Sequence, residues 1–155
     1  MRFFVFCAMA VLFLGCKKDK FTTAPQINYV SVDPNEWQEG LTSLEKPFAP
    51  KLNLKVTDAE GDLGLVEGED TSWVFARRVN SLEWDSLRLP SLGSAAGKSF
   101  EAEVEVNLYE LMATGVCPPL RPGVDTMYFE VYIQDFAKNK SNIIRTEEPV
   151  YYYCP

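Results

Sequence analysis

The chain has 155 residues, with fifteen Lys or Arg against twenty-two Asp or Glu and a formal charge of −7. That balance argues against nucleic acid as a partner, since binding its phosphates calls for a basic surface. The sequence contains no His, which removes Ser-His-Asp and Cys-His catalysis, histidine zinc sites and the usual near-neutral acid–base side chain in one step.

Met1-Arg2-Phe3-Phe4 opens an apolar run that stops at Phe13-Leu14-Gly15-Cys16, where Lys17-Lys18-Asp19-Lys20 begins. One positive residue, about a dozen apolar residues and a small residue at the break are the parts of a secretory signal, and the run is too short to cross a bilayer. Phe13-Leu14-Gly15-Cys16 resembles the lipobox of bacterial lipoproteins, with Gly15-Cys16 carrying most of the match. The resemblance implies a leader over 1–15, lipidation of Cys16 and a membrane partner through acyl chains; with two or more chains the anchoring is stable. Lys17, in place of an Asp after the lipidated cysteine, implies the outer membrane of the cell envelope. The other reading is an ordinary secretory signal with a coincidental cysteine. Loss of the leader removes Arg2 and no acid, leaving fourteen basic against twenty-two acidic residues, or −8.

Residues 16–25 are short, polar and without apolar period, and read as a lipidated tether. Residues 26–155 are expected to form one domain. Its strands announce themselves by period-two alternation. Leu52, Leu54 and Val56 alternate with Lys51, Asn53, Lys55 and Thr57; Phe100, Ala102, Val104 and Val106 with Glu101, Glu103 and Glu105; Phe129, Val131 and Ile133 with Tyr128, Glu130, Tyr132 and Gln134. Further strands are expected over 26–32, 72–79, 83–89 and 142–152, the last interrupted at Pro149, with turns at 33–35, 59–62, 93–97 and 122–123. Asn107 and Glu110 suggest a capping box on one short crossover helix, with Gly115 at its exit. About seven strands with these separations predict an all-β, immunoglobulin-like antiparallel sandwich, with Trp73 buried on its third strand. Lys51 and Lys55 would then face Glu101, Glu103 and Glu105 across neighbouring strands, making the acidic stripe a solvated sheet face.

Cys7 lies in the leader and Cys16 is assigned to lipid, so Cys117 and Cys154 remain. In an oxidising envelope they are expected to pair, contributing about 2–4 kcal/mol; the alternative is two separate buried thiols.

Two loops concentrate oxygen ligands. Asp58, Glu60 and Asp62 follow the second expected strand, Asp135 and Asn139 the sixth, and a sandwich of this connectivity brings both loops to one end. Hard oxygens at alternate spacing with a glycine for the bend suit calcium. The plainer reading gives Asp58 and Asp135 the task of ending strands with Asx turns, Gly61 and Gly64 the positive φ positions, and Asn139 a loop cap. These segments, Asp58-Ala59-Glu60-Gly61-Asp62-Leu63-Gly64 and Asp135-Phe136-Ala137-Lys138-Asn139-Lys140-Ser141-Asn142 behind a lipobox, look like small envelope lipoproteins of Bacteroidota with an immunoglobulin-like domain. Lys138 stands where such domains commonly carry Gly. In that group Asp-Ser/Thr-apolar triplets can be O-glycosylated, which Asp85-Ser86-Leu87 and Asp125-Thr126-Met127 fit.

Tyr128 and Tyr132, on the wet face of the sixth strand, are candidates for a glycan or protein patch, with core packing the default role of the other aromatics. Paired carboxylates for glycoside hydrolysis are available by residue type, but short loops leave little material for a cleft. The expectation is a noncatalytic, lipid-anchored interaction or accessory module that requires no cofactor, takes an envelope protein or glycan as partner, and has calcium-dependent ligand binding as the second reading.

Overall fold

A computed structural model describes residues 20–38, 48–64, 71–89, 98–112 and 123–154. The expected leader, the lipidation site Cys16, the helix exit at Gly115 and Cys117 lie outside these residues.

The described chain is an all-β sandwich. Its strands are β1 (Gln26–Asp33), β2 (Glu36–Gln38), β3 (Lys51–Asp58), β4 (Trp73–Arg78), β5 (Asp85–Arg88), β6 (Phe100–Asn107), β7 (Gly123–Met127), β8 (Phe129–Gln134), β9 (Ile144–Arg145) and β10 (Val150–Cys154). One helical turn, α1 (Tyr109–Met112), follows β6. Three sheets have the orders β1-β3-β6, β5-β4-β8-β9 and β2-β10-β7. In the third, β10 runs parallel to β2 and antiparallel to β7.

Alternation explains the core. Leu52, Leu54 and Val56 of β3, Val104 and Val106 of β6, Val74 and Ala76 of β4, and Phe129, Val131 and Ile133 of β8 are all buried. Intervening residues face outward, as period-two side chains must. β1 keeps both Ile27 and Val32 inside although five positions separate them, because its register slips between Tyr29 and Ser31. Such a bulge resets the parity.

The pairing of β3 with β6 follows the charges: Lys51 meets Glu105 at 2.9 Å and Lys55 meets Glu101 at 2.6 Å. Asn107 caps α1 by accepting the Tyr109 N–H at 2.9 Å.

Four features differ from the sequence expectation. Trp73 is only half-buried, since the parity that buries Val74 and Ala76 turns Trp73, Phe75 and Arg77 outward. The buried tryptophan is Trp37, edge-on to Tyr109 at 5.7 Å. β2 and β7 carry no readable alternation; one has three residues, and the other exposes all but Met127. Finally, residues 20–25 sit against the domain rather than hanging from it. Lys20 pairs with Glu101, the Thr22 carbonyl accepts the Ala59 N–H at 3.1 Å, and Pro25 is buried.

Candidate metal centre

β3 and β8 end at the same pole of the sandwich, β3 on Asp58 and β8 one residue before Asp135, and neither aspartate is exposed to solvent. Asp62, in the loop after β3, completes a group whose carboxylate oxygens lie within 4.8 Å of one another. The loop folds this way because the Asp58 Oδ2 accepts the Gly61 N–H at 2.6 Å, closing a tight turn with Gly61 at φ 71°. Gly64, at φ 112°, gives its N–H to the Ser72 hydroxyl at 3.2 Å, and the Asp62 carbonyl accepts the Phe136 N–H at 3.1 Å. That last bond ties the two loops together across the pole.

The second loop is held by its own polar side chains. Asp135 Oδ1 accepts the Asn139 N–H at 2.7 Å and Oδ2 accepts the Asn139 side-chain amide at 2.8 Å. Ser141 Oγ accepts the Ile133 N–H at 2.9 Å. Asn142 bridges to β1, with Oδ1 accepting the Ile27 N–H and Nδ2 donating to the Ile27 carbonyl, both at 2.8 Å. Within Asp135-Phe136-Ala137-Lys138-Asn139-Lys140-Ser141-Asn142, which the sequence singles out, Asp135, Ser141 and Asn142 each hold backbone. Lys138 takes φ 69°, a conformation that glycine adopts without cost.

Of the five candidate ligands, Asp58, Asp62 and Asp135 converge. Glu60 is exposed, and Asn139 directs both its donors at Asp135, so it orients that carboxylate. Ser72 escapes sequence reading; a serine just before a strand carries no signal of its packing beside Asp62. The Asx-turn reading is correct for Asp58 and Asp135, yet it leaves two oxygens unexplained. Asp58 Oδ1 and Asp62 Oδ1 are buried and accept no hydrogen bond. Burial pushes the Asp58 carboxyl up to about 6, against the pull of the Gly61 N–H and with help from the Asp62 charge, from a hydrogen bond that the protonated Asp58 shares with the Asp62 carboxylate, and from the Glu60 charge. Asp135 is raised too, chiefly by burial, with its two bonds from Asn139 opposing.

Magnitudes decide what the cluster needs. Two like charges 4–5 Å apart repel by about 3–4 kcal/mol at an effective dielectric constant of 20. A hydrogen bond to a charged group returns only about 1.5–3 kcal/mol. Three carboxylates therefore call for a proton or a cation between them. Ligand oxygens around calcium at about 2.3–2.6 Å stand at most about 5 Å apart, and three carboxylates offer up to about six oxygens, so the donor set fits a hard divalent cation.

At the other end of β8, about 20 Å away for six residues of strand, a groove of about 450 Å³ opens between the turn after β4 and β7. It is lined by Arg78, Asn80, Thr126, Tyr128 and Arg145 among others. Of the two aromatic candidates, only Tyr128 reaches this groove. Tyr132 lies mid-strand, stacked on Phe75 at 4.7 Å and covered by the Lys140 ammonium at 3.8 Å. Cys154 is disulfide-bonded, and its expected partner Cys117 lies outside the described residues. Among the described residues no helix is long and apolar enough to cross a membrane.

No family model matches the chain, and no curated protein matches it. Among solved structures, a β-glucosidase from Listeria innocua in complex with glucose aligns at 9% identity and TM-score 0.29. The same enzyme in complex with gluconolactone aligns at 10% identity and TM-score 0.30. Both alignments cover 84% of this chain and 16% of the enzyme, so the chain spans about a sixth of that protein's length.

Proposed function

We propose that this protein is a noncatalytic, lipid-anchored envelope module whose sandwich is closed at one pole by a bound calcium ion. The observation that carries the calcium reading is the pair of buried, unpartnered oxygens on Asp58 and Asp62, facing a third buried carboxylate on Asp135. A calcium ion there offsets two of the three carboxylate charges and joins the loops after β3 and β8, so its role is to make a rigid interaction module rather than to activate a substrate. The sheet orders β1-β3-β6 and β5-β4-β8-β9 support an immunoglobulin-like arrangement. The disulfide at Cys154 supports its pairing with Cys117 and an oxidising compartment.

Calcium titration of the full chain in detergent, followed by calorimetry and thermal melting, tests the cation. Saturable heat and a raised Tm are expected; no heat and no shift at about 5 mM calcium, above the roughly 0.1–1 mM affinity range of extracellular sites, would refute it. Fractionation tests the anchor. Cys16→Ala is expected to leave the membrane fraction, and unchanged partitioning would refute lipidation.

A further inference from the structure

We propose that the groove between the turn after β4 and β7 binds the carboxylated sugar units of an acidic glycan. This site is separate from the aspartate pole and does not depend on the calcium reading. Two guanidinium groups, those of Arg78 and Arg145, face a volume of about 450 Å³. Neither is in a salt bridge among the described residues, whereas Lys20, Lys51, Lys55 and Arg77 each have a carboxylate partner. In a chain of charge −7, a concavity lined by two guanidiniums against the one carboxylate of Asp125 is a local reversal of sign. Guanidinium recognises carboxylate through paired, geometrically fixed N–H bonds.

The remaining lining says which anion. Arg145 lies over Tyr128 at 4.8 Å, placing a flat aromatic body beside the charge. Asn80 and Thr126 add amide and hydroxyl groups. Asp125 also lines the groove, but its Oδ1 accepts the Thr126 N–H at 2.7 Å, so that oxygen is held within the strand. Charge for a carboxylate, an aromatic side for a sugar ring and polar groups for hydroxyls together describe a uronic acid unit better than a bare anion or an apolar peptide. The volume falls within the usual range of small-ligand sites.

The test is calorimetric titration of the full chain in detergent with three probes: a galacturonic acid trisaccharide, the corresponding neutral trisaccharide and inorganic phosphate. Saturable binding of the acidic trisaccharide alone is expected, weakened about tenfold or more by Arg78→Gln and by Arg145→Gln. Lys55→Gln, on the opposite sheet, is expected to leave it unchanged. Thr126→Val checks the hydroxyl contribution in a variant that keeps the groove's charge, with a smaller loss expected. No saturable binding of the acidic trisaccharide at about 10 mM, equal binding of the neutral one, or undiminished affinity in both arginine variants would overturn the proposal. Phosphate bound as tightly with the same arginine dependence would overturn the sugar assignment.

Discussion

The two poles of this sandwich treat charge in opposite ways. At one, Asp58 and Asp135 are fully buried and Asp58 Oδ1 and Asp62 Oδ1 accept nothing. At the other, Arg78 and Arg145 line an open groove in contact with solvent. Burial makes the first a problem that the fold must solve internally, with a proton or a cation. Hydration makes the second tolerable, so its charge is free to meet a ligand. Residues 20–25 seat beside the aspartate pole, through Lys20 on Glu101 and Thr22 on Ala59. An anchor at Cys16 would therefore hold that pole toward the membrane and turn the groove away from it.

The largest effect should come from Asp58→Asn. The amide keeps an acceptor for the Gly61 N–H and removes one buried charge, so calcium affinity should fall by about a hundredfold or more while the metal-free protein keeps or gains stability at pH 7.5. Calorimetry beside metal-free melting separates the two; a variant destabilised without metal would show that the carboxylate serves only the turn.

The next effect is in pH. Asp58 has a folded value of about 6, above the ordinary carboxylate value of 3.8. The folded state thus holds its proton where the unfolded chain has released it, and this contribution to metal-free stability is complete below pH 4 and lost as pH rises through 6. Calcium competes with that proton, so its affinity should fall about tenfold between pH 7 and pH 5. Melting with chelator and with calcium across pH 4–8 should give curves of opposite slope.

Smaller effects distinguish surface from pole. Arg145→Gln removes one exposed cation–aromatic contact and should cost about 0.5–1 kcal/mol, measurable by urea unfolding. Lys55→Ala breaks a solvent-exposed pair with Glu101 and should lower the Tm only slightly, a difference that vanishes in high salt. Lys138→Gly should cost nothing, against a loss of about 0.5–1 kcal/mol for glycine in regular backbone, because Lys138 already holds φ 69°.

Much of this was legible in the chain. Strands β3, β6 and β8 were readable from strict alternation, and the pairing of β3 with β6 from Lys51 and Lys55 against three glutamates. The aspartate loops were readable because Asp and Gly at strand ends leave few other local roles. Trp73 misled, since a large aromatic in an expected strand looks buried until the parity of Val74 and Ala76 is known. The groove was not readable: Arg78, Thr126, Tyr128 and Arg145 come from three separate parts of the chain, and an arginine at a strand end carries no local mark of what it will face.

Local patterning by itself determined the strand class, the turn after β3 and one pair of neighbouring strands, because period-two burial and opposite-charge contacts are written in adjacent residues. Tertiary structure alone decided that Asp58, Asp62 and Asp135 crowd together with oxygens unpaired, and that Arg78 and Arg145 share a groove. Desolvation and convergence are properties of packed volume, and residues far apart in the chain acquire them only when the sheets close.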